Sequence, residues 1–381
     1  MRAAEGVGAV PPGRDLPDIG GIERELAALW KQAAAPQEDG SPPAVIRACV
    51  MNLVACCTGG EQVERLQQLA VEVTSMIPAR VLVAIEDSGD TEGGIKASLS
   101  TRCALGTGRD RETHICCEQV IMRAAGPIAR HLPDAIVPLL LPDLPVVLWW
   151  PDQPSLTGDP GLRLVQHADW LVVDSCRFSQ PAAQLQWLSQ LDRPIADMTW
   201  QRLRGWRDLA AGLFDARGFD SYPERISRIE LTCEPDLGSP SEGLLLGAWI
   251  ASRLKWHPGS AGGQLNWHLV RRGGEAGDFL MISRPASREE SDGSRPGRVL
   301  SLVLHAGDAT FSLRRSGQNM LTGSVEMPSA CPVPRTARVV ERDDATLLTR
   351  SLQAGWRDPI YDDALALAAR LLGPDLMESA T

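Results

Sequence analysis

The chain has 381 residues, which is too long for one ordinary hydrophobic core and suggests two domains. Its 48 acidic and 38 basic residues give a net charge of −10, and no Lys/Arg run offsets it, so a nucleic-acid-binding role is excluded. Pro and Asp break the apolar stretches well short of a membrane span, and residues 1–20 do not resemble a signal peptide. We therefore expect a cytoplasmic protein without a membrane segment.

Strands and helices alternate through the first part of the chain. Within residues 1–43, the pattern predicts a helix over about 18–35 followed by a polar linker. From residue 44, short apolar runs predict strands. The strands predicted here are Ala44–Cys56, Val81–Ile85, Ile95–Leu99 and Ile115–Ile121, and the helices between and after them are Val63–Ile77 and the short Gly126–Leu132.

The stretch from His131 to Asp152 contains the strand on which the larger domain is organised. The run Val146–Trp150 is apolar without alternation, which is typical of a parallel strand that is covered on both faces. Proline cannot donate to a sheet, so Pro145 and Pro151 confine regular pairing to this run. Because neighbouring strand residues point to opposite faces, we expect both Trp149 and Trp150 to be buried.

The remaining chain changes character near residue 222. Before it, strand Trp170–Val173 and helices Phe178–Leu191 and Thr199–Phe214 continue the alternating pattern. After it, a strand, a buried helix capped by Ser241 and a series of strands predict an antiparallel meander closed by two terminal helices. We therefore predict three parts: an N-terminal helix and linker (1–43), an α/β domain with a mainly parallel sheet (44–222), and an α+β domain with an antiparallel sheet (223–381).

Acidic residues follow three of the predicted buried strands, at Glu86-Asp87, Asp152 and Asp174-Ser175. The carboxyl ends of parallel strands meet at one edge of a sheet, where α/β folds bind ligands, so Asp87, Asp152, Asp174 and Ser175 form a candidate ligand or acid–base site. The alternative is local: Asp174 and Ser175 cap the next helix and Asp152 lies in a turn. No His or Lys nearby in sequence completes a catalytic set.

Other motifs carry no recognisable chemistry. Residues 105–110 (LGTGRD) lack the third glycine of a dinucleotide fingerprint and the Gly-Lys-Ser/Thr of a P-loop, so a plain turn is favoured. No pair of histidines has metal-ligand spacing and no G-x-S-x-G occurs. We predict no catalytic residues, no cofactor and no metal.

The nine cysteines include two vicinal pairs, Cys56-Cys57 and Cys116-Cys117. Two interpretations are open: the cysteines are small buried residues in a reducing compartment, or one of the vicinal pairs is redox-responsive. Within a strand the two sulfurs of a vicinal pair point apart, so we expect no intrachain disulfide. The skew towards tryptophan, with 11 Trp against 5 Phe and 2 Tyr, predicts a Trp-rich core and leaves some tryptophans as possible partner anchors.

Several segments resemble one family, the glucose-6-phosphate dehydrogenase assembly proteins of the OpcA type. The resemblance covers most of residues 44–283. It rests on Arg47–Val54 (RACVMNLV), Cys117–Ile121 (CEQVI), Val137–Pro151 (VPLLLPDLPVVLWWP), Ala168–Ser175 (ADWLVVDS), Thr199–Arg207 (TWQRLRGWR) and the Leu244–Trp256 helix.

The resemblance implies a non-catalytic partner that helps glucose-6-phosphate dehydrogenase assemble and raises its activity in the oxidative pentose phosphate pathway. It also implies a link to thioredoxin, since cyanobacterial members are under thioredoxin control. The alternative is an α/β enzyme or ligand-binding protein that uses the acidic strand ends.

Overall fold

The computed structural model divides the chain into two compact units that interleave along the sequence. Unit 1 comprises Met1–Val173, Arg193–Ala196 and Asp343–Trp356, and unit 2 comprises Asp174–Asp192, Asp197–Arg342 and Arg357–Thr381. The predicted boundaries at 43/44 and 222/223 stay predictions. The structure describes residues 8–9, 18–33, 45–47, 49–59, 63–86, 94–105, 114–152, 160–235, 240–263, 265–287, 290, 296–316, 319–328, 334–338, 343–354 and 357–373.

The first sheet lies almost wholly in unit 1 and is mostly parallel. Its strands are β1 (Gly8–Ala9), β2 (Val45–Arg47), β3 (Met51–Thr58), β4 (Ala79–Glu86), β5 (Ile95–Leu105), β6 (His114–Ala124), β7 (Val146–Trp149), β8 (Trp170–Val173) and β9 (Ile195–Asp197). They follow the order β1-β5-β6-β4-β3-β7-β8-β9, and β2 pairs with β6. Strands β3, β4, β6, β7 and β8 run parallel, whereas β5 is antiparallel to β6. The mainly parallel sheet is confirmed.

Two details of this sheet differ from the prediction. The single strand predicted over Ala44–Cys56 is two strands, because β2 pairs with β6 while β3 pairs with β4 and β7. Strand β9 was not predicted, since three residues after a proline carry too little apolar pattern to be recognised. The helices of unit 1 are α1 (Ile19–Ala33), α2 (Val63–Thr74), α3 (Leu132–Ile136), α4 (Pro160–Leu164) and α9 (Asp344–Ala354).

Strand β7 lies between β3 and β8, as expected for an interior strand. Trp149 is 2% exposed and Trp150 is 1% exposed, so the predicted burial of both rings is confirmed. Trp150 lies just beyond the strand and its backbone N–H donates to the carbonyl of Val172 at 3.0 Å. The kinked segment before β7 is held by Asn52, whose side chain bonds both the N–H and the carbonyl of Leu141, at 2.8 Å and 3.1 Å.

A buried ion pair joins β4 to β6. The Nε of Arg80 donates to Oε2 of Glu118 at 2.6 Å, and the two side chains are 2% and 0% exposed. Helix α1 adds to this network because Trp30 Nε1 donates to Oε1 of Glu118 at 2.5 Å and Glu23 Oε1 accepts from Arg80 at 2.9 Å. Because Trp30 and Glu23 both belong to α1, these bonds to the buried pair hold α1 against the sheet.

The second sheet lies in unit 2 and has eight strands. They are β10 (Ile226–Cys233), β11 (His257–Gly263), β12 (Asn266–Val270), β13 (Ala276–Ser283), β14 (Val299–Ala306), β15 (Ala309–Arg315), β16 (Met320–Glu326) and β17 (Arg335–Arg338), in the order β11-β12-β13-β10-β14-β15-β16-β17. All neighbours are antiparallel except β10 and β13, which are parallel. The antiparallel sheet is therefore confirmed, whereas a simple meander is wrong at β10, which inserts between β13 and β14.

The helices of unit 2 are α5 (Pro181–Ser189), α6 (Met198–Arg202), α7 (Arg204–Phe214), α8 (Ser241–Arg253) and α10 (Pro359–Leu371). The predicted helix over Thr199–Phe214 is interrupted at Leu203. Helix α8 is buried along most of its length, as its apolar sequence predicts, but Ser241 is its first residue and Pro240 occupies the N-cap position. Among the described residues, no helix combines the length and apolar character needed to cross a membrane.

Candidate functional site

The structure describes three of the four predicted site residues. Asp87 lies outside the described residues, and Asp152 is a half-buried residue in a bend of unit 1. Asp174 and Ser175 are fully buried and belong to unit 2, directly after β8.

The Asp174 carboxylate is surrounded by donors from unit 2. Arg202 donates to both of its oxygens, with the Nη2–Oδ2 distance at 2.9 Å. Arg177 Nε donates to Oδ2 at 3.0 Å, and the Thr199 hydroxyl donates to Oδ1 at 3.0 Å. The Cys176 thiol also reaches Oδ1, at 3.2 Å. The carboxylate is thus saturated by partners that lie up to 28 residues away in sequence.

The arginines decide the charge of Asp174. Burial opposes ionisation of this carboxyl, but the nearby Arg202 guanidinium outweighs it and holds the pKa of Asp174 well below its usual range. Arg202 in turn keeps its charge, since Asp174 raises the pKa of Arg202 against the effect of burial. A permanently ionised, fully bonded carboxylate is a poor general base, because it has neither a suitable pKa nor a free lone pair for substrate.

A second buried carboxyl, Asp197, lies at the start of α6. Its Oδ1 accepts from the backbone N–H of Thr199 at 2.9 Å and of Ser175 at 3.1 Å, and its Oδ2 accepts from the Tyr361 hydroxyl at 3.1 Å. Burial raises the pKa of Asp197 to about 6, and the Asp174 charge adds to the rise. Burial next to Asp197 also raises the pKa of Tyr361 well above its usual range.

Asp174, Asp197 and their hydrogen-bond partners therefore connect segments of unit 2 and do not present a reactive group. The local alternative predicted from sequence is only partly right, since Asp174 begins a 3₁₀ turn but forms no capping hydrogen bond to it. Asp197 does cap α6. Sequence reasoning missed Arg202 and Asp197; the Asp-x-Thr spacing before α6 could have indicated Asp197 as a helix cap.

No metal-binding group is formed where the structure describes the chain. Within that part, no set of three or more His, Cys, Asp or Glu side chains is arranged to hold an ion. Six cysteines in the same part are not joined in disulfides: Cys49, Cys56, Cys57, Cys117, Cys176 and Cys233.

The residues of the family-like segments have mainly structural contacts. Asn52 holds the segment before β7, and Glu118 pairs with Arg80 inside the sheet. In the Thr199–Arg207 segment, Trp200 Nε1 donates to Asp358 Oδ2 at 2.9 Å, and the Arg207 guanidinium lies 3.5 Å from the centre of the Trp200 ring. These residues of the motifs therefore form contacts that stabilise the fold.

The described residues form two units, one on a mainly parallel sheet and one on a mainly antiparallel sheet, and Asp174 of the second unit is held in a buried ion pair with Arg202. Two family models match it in succession. Residues 70–190 match a model described as a glucose-6-phosphate dehydrogenase subunit N-terminal domain, and residues 193–365 match the corresponding C-terminal domain. The chain belongs to the OpcA family of glucose-6-phosphate dehydrogenase assembly proteins.

Curated relatives agree with this family. The chain is 29% identical to the OxPP cycle protein OpcA of Synechocystis sp. over 325 residues, which is 80% of this chain and 66% of the relative. It is 31% identical to the OpcA protein of Nostoc punctiforme over 251 residues, which is 64% of this chain and 50% of the relative. The match thus spans about half to two thirds of the length of these relatives.

Solved structures give only weak likenesses. A Gal80p super-repressor mutant from Saccharomyces cerevisiae aligns with a TM-score of 0.47 at 9% identity, covering 87% of this chain and 96% of that one. Biliverdin reductase from Synechocystis sp. aligns with a TM-score of 0.44 at 11% identity, covering 84% and 97%. Likeness at this level carries no argument about function.

Proposed function

We propose that this chain is a non-catalytic assembly factor and allosteric activator of glucose-6-phosphate dehydrogenase in the oxidative pentose phosphate pathway. The observation that carries the proposal is the consecutive match of two domains, each described as part of a glucose-6-phosphate dehydrogenase subunit, to residues 70–190 and 193–365. The relatives described as OxPP cycle proteins support the same pathway. The cytoplasmic location expected from the sequence stays part of this proposal.

The burial and ion pairing of Asp174 support an assembly role over the alternative of an enzyme or ligand-binding protein. Asp174 is bonded to Arg202 and Arg177, and its side chain is 1% exposed. Asp152 belongs to the other unit. A substrate would have to break the buried ion pair before it could reach Asp174, and that would leave an uncompensated charge in the interior.

The test is reconstitution with the cognate dehydrogenase. The purified chain and the dehydrogenase are mixed, and the oligomeric state is followed by light scattering while dehydrogenase turnover is measured. We expect co-elution, a larger dehydrogenase oligomer and higher activity, with an unrelated acidic protein of similar size as the control. Absence of both association and activation would contradict the proposal.

The same preparation tests the non-catalytic part of the proposal. The chain alone should show no dehydrogenase, phosphatase or hydrolase turnover, because the Asp174 carboxylate is already bonded to Arg202 and Arg177 and is a poor acid or base for substrate. Robust turnover that is abolished by Asp152→Asn or Asp174→Asn would instead establish the enzyme alternative.

Redox control by thioredoxin is a further part of the proposal. Cys56 and Cys57 are buried neighbours on β3, and burial raises the pKa of Cys117 to about 11. A thiol with such a pKa is almost entirely protonated near neutral pH and exchanges slowly. Among the described cysteines, Cys49 and Cys176 are half-buried. These two are therefore better placed for exchange with thioredoxin than Cys56, Cys57 or Cys117.

A further inference from the structure

Unit 2 contains a basic cleft, although the chain as a whole has a net charge of −10. The cleft encloses about 520 Å³ beside the end of α8 and the turn between β12 and β13. Its lining includes four cationic side chains and one carboxylate: Arg253, Lys255, Arg271, Arg272 and Glu224. This local excess of positive charge is suited to a small anion.

Two of the cations are already paired. Arg253 forms an ion pair with Asp363, and Nη1 of Arg271 lies 2.9 Å from Oε2 of Glu275. Arg271 also donates to the backbone carbonyl of Glu224, at 3.2 Å. These contacts hold the two arginines in place at the wall of the cleft.

The other two cations are available to a ligand. Lys255 and Arg272 are exposed, and neither forms an ion pair with any residue in the part of the chain that the structure describes. A bound anion would supply the counter-charge that these side chains lack. Arginine offers a planar fork of donors to a phosphate, and lysine offers a compact charge.

The backbone conformation of Lys255 independently supports a ligand-binding role for its side chain. Lys255 has φ +60°, in the left-handed region, and follows Leu254, the C-cap residue of α8. Its N–H bonds the carbonyl of Ser252 at 3.1 Å, and the N–H of Trp256 bonds that of Ala251 at 2.9 Å. This is the position after a helix where glycine is usual because it has no Cβ. A lysine here strains the backbone and places an ammonium group in the cleft.

An apolar cleft of about 270 Å³ adjoins the basic one. The two share Pro223, Arg253 and Leu254 as lining residues. The apolar cleft is also lined by the half-buried residues Phe214 and Trp249, and the Phe214 ring packs on Phe311 with 4.4 Å between the ring centres. Aromatic rings of this kind stack on planar bases without needing specific hydrogen bonds.

We propose that the two adjoining clefts bind a nucleotide, with its phosphates against Lys255 and Arg272 and its base against Phe214 and Trp249. Each cleft alone matches one part of such a ligand, and together they are in the size range of small-molecule sites. The site involves unit 2 only, and it does not depend on the assembly function proposed above.

The first test is titration calorimetry of the full chain at low salt with adenosine diphosphate, adenosine and pyrophosphate. Adenosine diphosphate should bind at least about tenfold more tightly than either fragment, because only it fills both clefts. Raising the salt concentration should weaken its binding. If pyrophosphate or adenosine binds as tightly as adenosine diphosphate, or if none of the three binds, the proposal is wrong. No dehydrogenase is present, so the result is separate from the assembly test.

The second test uses variants of the cleft. Lys255→Gly should raise the melting temperature, by relieving the backbone, and weaken adenosine diphosphate binding by about tenfold or more. Arg272→Gln should weaken binding as well, whereas Glu224→Gln should tighten it. Lys31→Met, which removes an exposed lysine of α1, is the matched control and should change nothing. Unchanged affinity in both Lys255→Gly and Arg272→Gln, with folding shown by circular dichroism, would overturn the proposal.

Discussion

At the scale of single residues, two buried carboxyls of unit 2 have opposite electrostatic environments. Asp174 faces Arg202 and Arg177, so its pKa is held well below the usual range. Asp197 accepts hydrogen bonds from neutral donors, and burial together with the nearby Asp174 charge raises its pKa to about 6. Both carboxyls bond to the Thr199 region, Asp174 through the hydroxyl and Asp197 through the N–H. Ionisation is therefore stabilising at one position and costly at the other.

Asp197→Asn should flatten the pH dependence of stability. Because the pKa of Asp197 is raised in the folded state, its favourable contribution is fully present below pH 4 and is lost as the pH rises through about 6. The loss is on the order of 3 kcal/mol for a shift of this size. Asparagine keeps the acceptor oxygen but does not ionise, so urea midpoints measured from pH 4 to pH 7 should fall less steeply than in the native chain.

A matched control separates this effect from other titrating groups. Asp208 lies on α7 with its side chain 72% exposed, so Asp208→Asn should leave the slope of the native chain unchanged. An Asp197→Asn profile parallel to that of the native chain would show that this carboxyl does not titrate in the range.

At the scale of elements, α8 illustrates how closely a helix can lie against a sheet. The helix packs against β10 and β13, and its two glycines face the strands. A Cβ on Gly243 would come within 2.6 Å of the Cys233 sulfur, and one on Gly247 would overlap the ring of Phe279. The glycines are thus required by close approach and not by backbone conformation.

Gly247→Ala should destabilise unit 2 by about 1–3 kcal/mol, because the ring of Phe279 must move. The matched control is Gly212→Ala on α7, where the nearest atom to the new methyl is the Nη1 of Arg335 at 3.6 Å. That change should be neutral or stabilising by about 0.5–1 kcal/mol, since alanine favours helix. Chemical denaturation compares the two variants, and equal losses in both would show that packing against Phe279 is not the cause.

At the scale of the whole molecule, the chain is an acidic protein whose two units each have their own sheet and buried charge pair. In unit 1 the pair is Arg80 and Glu118, and in unit 2 it is Arg202 and Asp174. Charged groups used in this way stabilise particular segments and are not free for chemistry.

Redox control of that association is testable in the same assembly assay. We expect dehydrogenase activation to differ between the chain reduced by thioredoxin and the chain oxidised by diamide. Cys49→Ser or Cys176→Ser should remove the difference, because these thiols are the less buried ones among the described cysteines. The Cys56→Ser/Cys57→Ser variant is the control and should still respond. A response that disappears only in this control variant would assign the switch to the vicinal pair.

The sequence by itself determined the elements whose residues carry strong local patterns. The unbroken apolar run before Pro151 was sufficient to predict an interior strand with Trp149 and Trp150 buried, since such a run has no solvent-facing side. The change from alternating helices and strands to successive strands likewise separated a parallel from an antiparallel sheet. Family-like segments such as Val137–Pro151 indicated the family, because they are long and specific.

Only the tertiary structure decided which distant residues meet. The pairing of Asp174 with Arg202 could not be read from sequence, because ion-pair partners leave no periodic pattern and are chosen by packing. The insertion of β10 between β13 and β14 is also a long-range choice, since each strand alone would suit several neighbours. The clefts beside Lys255 arise in the same way, from residues on a helix end and a hairpin turn that folding brings together.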